Sequence, residues 1–86
     1  MPEISRFFGI IITMYFRDHP PPHFHARYGS QKGRFTIEDP QMLDGDISLR
    51  AQNLVIEWAR QHNSELMREW DLAATQQPLF KIAPLE

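Results

Sequence analysis

Three consecutive prolines, Pro20-Pro21-Pro22, run straight into His23-Phe24-His25-Ala26-Arg27-Tyr28. No other stretch narrows the choice of fold as much. Proline fixes φ and supplies no N–H, so residues 20–22 are excluded from a helix interior and from a central strand. The residues after them alternate polar with apolar at a period of two, the pattern of a strand with one buried face. His23, His25 and Arg27 then point to one side, and Phe24, Ala26 and Tyr28 to the other. Three of the four histidines, His19, His23 and His25, fall within seven positions.

The run Phe7–Phe16 before this loop is rich in β-branched and aromatic residues, which fit a pleated, half-buried surface. Ile10, Ile12, Met14 and Phe16 share one face, Ile11, Thr13 and Tyr15 the other, with Gly9 as a bulge or bend near the start. After β-like residues 22–28, Gly29 to Gly33 reads as a turn and Arg34–Glu38 as a further strand, broken by Asp39-Pro40. Met42–Ile47 holds a short fourth strand or a hairpin around Asp44-Gly45. The period then changes. Ser48 is placed to cap a helix through about His62, with Ala51, Leu54, Val55 and Trp58 on its apolar face. Asn63-Ser64 interrupts that helix or opens a second one, whose face is Leu66, Met67, Trp70, Ala73 and Ala74. Gln76-Gln77-Pro78 ends it.

These elements predict one α+β domain over residues 1–86: an antiparallel three- to four-stranded meander with one or two C-terminal helices packed on one face. The β-rich part spans 3–47, the helical part 48–75, and residues 79–85 form a short C-terminal strand or tail over the core. The two tryptophans are expected in the core or at its edge. The other sheet face, with Thr13, Tyr15, His23, His25, Arg27, Arg34, Thr36 and Glu38, is expected to be open.

Ladder pairing turns faces into neighbours. The inward sets pair Phe16 with Phe24 and Met14 with Ala26, which places Tyr15 opposite His25 and Thr13 opposite Arg27. Two registers of the next pair keep Phe35 and Ile37 inward, and they put Glu38 opposite His23 or His25. A carboxylate there raises an imidazole pKa above about 6.5.

Composition limits the function. A chain of 86 residues has a modest core, and without cysteine it has neither disulfides nor a thiolate metal site. Staple-free domains of this size often bind a partner chain or a second copy of themselves. The apolar run Phe7–Phe16 is too short to cross a bilayer, which takes about 20 residues. The chain is therefore expected in the cytoplasm, with no membrane partner and no cofactor. Net charge is −2, which gives no general pull toward nucleic acid. Residues 1–35 nevertheless carry five cations against two acids, and residues 36–86 four against nine.

Four roles suit the histidine run. As metal ligands, His23 and His25 offer two imidazoles on one face, with Glu38, Asp18 or His19 to complete the set and Arg27 opposing a cation. As catalysts, His23 and His25 serve as acid and base of a metal-independent ribonuclease, Arg27 or Arg34 holds a phosphate, and Tyr15 donates a hydrogen bond. As a binding face, the same surface takes a protein or nucleic acid through Arg6, Arg17, His19, Arg34 and Glu38. In the plainest role, each histidine bonds a nearby carbonyl or carboxylate and closes the turn. Whether the protein is an enzyme stays open at this point.

The segments Ile4-Ser5-Arg6-Phe7-Phe8-Gly9-Ile10, Met14-Tyr15, Asp18-His19, Pro21-Pro22-His23-Phe24-His25 and Tyr28-Gly29 resemble the bacterial domain-of-unknown-function family 4160. Arg50, Leu54 to Trp58, Glu65-Leu66, Trp70 and the closing Ile82 to Glu86 extend the resemblance over nearly the whole chain. Members of that family look like small proteins encoded beside a second small domain, of unknown-function family 2442. That pairing implies a toxin–antitoxin-like module with a cognate small protein as partner. It supplies no catalytic or ligand residues.

Overall fold

The computed structural model describes residues 2–86. The elements in chain order are β1 (Glu3–Phe7), β2 (Ile10–Thr13), β3 (His23–Tyr28), β4 (Gln31–Thr36), β5 (Met42–Asp46), α1 (Leu49–Gln61) and α2 (Asn63–Ala74). The strands form one antiparallel meander in the order β1-β2-β3-β4-β5. The sheet thus has five strands, not three or four. The expected single strand over Phe7–Phe16 is cut by a two-residue hairpin turn at Phe8 (φ 49°) and Gly9 (φ 80°). Positive φ at both central residues matches the twist of the flanking strands, and Gly9 adopts it without steric cost.

The expected strand at Met42–Ile47 forms as β5, and its pairing with β4 depends on Gly45, at φ 122° directly opposite Gly33. A Cβ on Gly45 would collide with the Gly33 Cα and the Lys32 carbonyl. Gly45→Ala therefore combines backbone strain with a clash and should destabilise by about 2–4 kcal/mol, measurable by urea unfolding.

Ser48 caps α1 as expected, its Oγ accepting from the Ala51 N–H at 3.3 Å. The helical region is two helices, joined at His62, whose Nδ1 lies 2.6 Å from Glu65 Oε1. Both lie on one side of the sheet. Ala51, Val55, Trp58, Leu66 and Ala73 join Ile4, Ile10, Ile12, Met14, Phe24, Phe35 and Ile37 in a single buried cluster. Trp58 is its centre, with ring centroids 5.3 Å from Phe7 and 5.8 Å from Phe24. The segment after α2 is a tail without a strand. It is fastened by Ile82 N–H to the Ile4 carbonyl at 2.8 Å and by Trp58 Nε1 to the Ala83 carbonyl at 2.8 Å.

The helix-covered face carries the expected residues apart from Tyr28, which is exposed at the end of β3. Registers differ from expectation by an even number of residues. Thr13 pairs with His25 and Ile11 with Arg27, while His23 pairs with Thr36 and His25 with Arg34. An even slip preserves every face, so the apolar pattern specifies the face without choosing the register. Phe16, expected opposite Phe24, lies beyond β2 and is exposed.

Glu69 is fully buried on α2. One oxygen accepts the Phe80 N–H at 2.9 Å, and the other has no hydrogen-bond partner. Burial pushes its pKa above the usual carboxylate range, the Phe80 N–H only partly opposing this and Glu65 adding to it. The folded state therefore holds this proton more tightly than the unfolded chain. The resulting stabilisation is present at acid pH and is lost as pH rises through the raised pKa. Glu69→Gln should unfold at a higher temperature than wild type above pH 7, with the gain shrinking toward pH 4, as read by thermal scans across that range.

Candidate functional site: an aspartate shared by two histidines beside a cationic groove

After β2 the chain leaves the sheet and turns at Arg17 (φ 56°), whose N–H reaches the Ala73 carbonyl near the end of α2 at 3.2 Å. That tether sets the position of Asp18. Its Oδ1 accepts the His19 N–H at 2.9 Å, a local closure typical of aspartate in loops. Its Oδ2 lies 3.0 Å from His23 Nε2 and 3.3 Å from His25 Nε2. Two imidazoles, two residues apart on one strand face, thus converge on one carboxylate oxygen.

The prolines build the other side. Pro21 offers a carbonyl, which accepts from His23 Nδ1 at 2.7 Å, and the Pro20–Pro21 peptide is cis. Trp70 of α2 packs on the His23 ring with centroids 5.2 Å apart. His23 is consequently 1% exposed. It does not lie on an open face as alternation predicted, because the loop and Trp70 cover the end of β3. His25 is half-buried, with the Tyr15 ring edge-on at 4.3 Å.

Next to His25 the open face forms a groove of about 250 Å³, lined by Glu3, Arg6, Ile11, Thr13, Tyr15, His25, Ala26, Arg27 and Lys32. Two predicted cations are already neutralised. Arg6 Nη2 pairs with Glu3 at 2.7 Å, and Arg34 makes a two-point contact with Asp44 across β4 and β5. Arg27 and Lys32 sit directly opposite each other on β3 and β4. Neither has an ion-pair partner among the described residues.

The other predicted site residues lie apart from the cluster. The His19 ring is exposed and takes no part in it, only its backbone N–H bonding Asp18. Arg17 is exposed at the loop tether. Glu38 lies past the end of β4, beside Pro21, Pro22 and Asp39, and is opposite neither histidine. The carboxylate that meets the imidazoles is Asp18.

Electrostatics differ from expectation in the same way. Burial lowers the His25 pKa; the Asp18 hydrogen bond opposes this, and the nearby His23 and Arg34 charges reinforce it. The net shift is downward from 6.5 rather than upward, so His25 is neutral at neutral pH. For Asp18, burial acts upward, but the His19 N–H and then the two histidines outweigh it and hold the carboxyl below its ordinary value. His25 is therefore a neutral ring oriented by a carboxylate. His23 is sealed from any substrate, so the expected acid–base pair across a phosphodiester is not assembled.

Sequence reasoning gave Asp18 only as an optional third ligand and missed Trp70 as the wall behind His23. Asp18 had a usable signal: it is the first carboxylate before the prolines, on a loop that must fold back over β3. Trp70 had none, since its approach depends on how α2 returns over the sheet.

An antiparallel sheet covered by two helices on one side, with a histidine–aspartate cluster at the end of β3 and a cationic groove beside it, defines a small α+β domain. Residues 9–71 match the family described as Domain of unknown function (DUF4160), and the chain belongs to that family. No curated protein and no solved structure matches it. Among the described residues no helix is long and apolar enough to cross a membrane.

Proposed function

We propose that this protein is the interaction module of a toxin–antitoxin-like pair and takes an acidic segment of a cognate small protein into the groove over β1 to β4. The observation that carries this reading is the pair Arg27 and Lys32. Like charges directly opposite on neighbouring strands destabilise a sheet. These two stand opposite each other and neither forms an ion pair among the described residues, Asp46 facing only Lys32 from β5, whereas Arg6 and Arg34 are each paired with a carboxylate. A carboxylate from a partner supplies the missing charge. Tyr15 and His25 beside them give planar surfaces of the kind that anchor interfaces. A long polyphosphate is a poorer occupant, because two free cations on this face release few counterions. The pairing of family members with a second small domain supports a protein partner encoded alongside.

Co-expression of the tagged chain with the product of the adjacent small gene tests this. The reading expects a stoichiometric complex that weakens between 0.1 and 1 M salt, as exposed charge pairs do once the Debye length falls from about 10 Å to about 3 Å. Self-association without the neighbour, or RNA cleavage that requires His25, contradicts it.

A further inference from the structure

We propose that Asp18, His23 and His25 form a binding site for one first-row divalent transition metal ion of the zinc class. The proposal goes beyond the docking role and does not depend on it.

The donor atoms are already gathered. One ligand atom from each of Asp18, His23 and His25 lies within 4.8 Å of the others. Ligand bonds of about 2.0–2.1 Å at tetrahedral angles put neighbouring donors about 3.3 Å apart. The carboxylate oxygen is 3.0 Å and 3.3 Å from the two nitrogens. Both oxygen–nitrogen edges thus fit an ion, and bringing the two imidazoles to the same spacing takes at most about 1.5 Å of side-chain movement.

A second observation points the same way. Metal-bound histidines donate their remaining ring N–H to a carbonyl or carboxylate, which fixes tautomer and orientation. His23 has this arrangement, with Nδ1 on the Pro21 carbonyl at 2.7 Å and Nε2 directed to the cluster. Its ring is held against Trp70 and is 1% exposed, so the ligand is rigid before any ion arrives. The His25 and Asp18 side chains remain about a quarter exposed, at 25% and 23%. That side supplies an entry path and leaves a fourth position to water.

Donor type selects the class of ion. Two imidazoles and one carboxylate suit zinc, cobalt, nickel or iron(II), whereas magnesium and calcium take oxygen donors. Arg27 is exposed on β3, two residues beyond His25 and beside Lys32, so it opposes an ion only through solvent.

The test uses the isolated chain, without any partner, titrated with zinc chloride and, for its spectrum, cobalt chloride. The expected result is saturable one-to-one binding, a visible cobalt band of tetrahedral intensity, and a rise in melting temperature with zinc. Asp18→Asn and His25→Gln, each confirmed folded by circular dichroism, should weaken zinc on the order of 100-fold. His19→Ala should bind as wild type. Should Asp18→Asn fail to fold, His25→Gln decides alone, because the His25 side chain is a quarter exposed and less tied into the core. No saturable binding by wild type at about 100 µM metal, which corresponds to about −5.5 kcal/mol, overturns the proposal. So does undiminished binding by the folded variants.

Discussion

Arg27→Glu should abolish capture of the cognate protein while leaving the fold intact or slightly firmer. Arg27 faces Lys32 across β3 and β4, and neither forms an ion pair among the described residues, Asp46 facing only Lys32 from β5. The substitution replaces a like-charge cross-strand pair with an opposite-charge one, a change of about 0.2–1 kcal/mol in favour of folding. At the same time it puts a negative charge where the acidic partner segment is proposed to dock. Loss of an attractive contact and creation of a repulsive one together correspond to about 100-fold in affinity, about 2.7 kcal/mol. Most effects of destabilising variants reduce binding and melting temperature together. Here the two are expected to separate, and isothermal titration beside a thermal scan reads both.

Trp58→Ala should be the most destabilising single substitution in the chain. The indole is 0% exposed, packs on Phe7 and Phe24, and donates to the Ala83 carbonyl. Removing a large buried aromatic costs about 3–5 kcal/mol through lost transfer energy and the remaining cavity. Here the tail also loses one of its fastenings. Small domains have about 5–15 kcal/mol in all. A fall in melting temperature of about 15–30 °C is therefore expected for 86 residues. Phe24 lies between His23 and His25 on β3, so the variant should also loosen the aspartate–histidine cluster before global unfolding. Hydrogen exchange at residues 23–25, faster than at the strand pair β4–β5, is the corresponding signature.

Alternation placed Ile10, Ile12, Met14, Phe24, Phe35 and Ile37 inward, and period and capping placed the helical region after Ser48. These features are local, since each follows from side-chain spacing along one element. The turn at Phe8-Gly9 shows in the sequence only as a bulge or bend at Gly9, because the apolar run continues through it without a polar break. Register is hidden for a different reason: slips of two residues keep both faces intact, so pattern alone sets Glu38 opposite the histidines where the structure sets Thr36 and Arg34, and it says nothing of Asp18, which reaches them from a loop. The burial of His23 is a tertiary result, made by a loop and by Trp70, neither of which the alternation of β3 encodes. Arg27 lies exposed as alternation expects, and His25 beside it is only partly covered, by Asp18 and Tyr15.

The location of the partner on the sheet tests the account most directly. An amide nitrogen–proton spectrum of the labelled chain, recorded with and without the unlabelled cognate protein, maps it residue by residue. The account predicts the largest shifts at Thr13, Tyr15, His25, Arg27 and Lys32, vanishing in Arg27→Glu. Shifts centred instead on the exposed hollow of Phe8, Tyr28 and Leu54, or along the outer edge of β5, would contradict it.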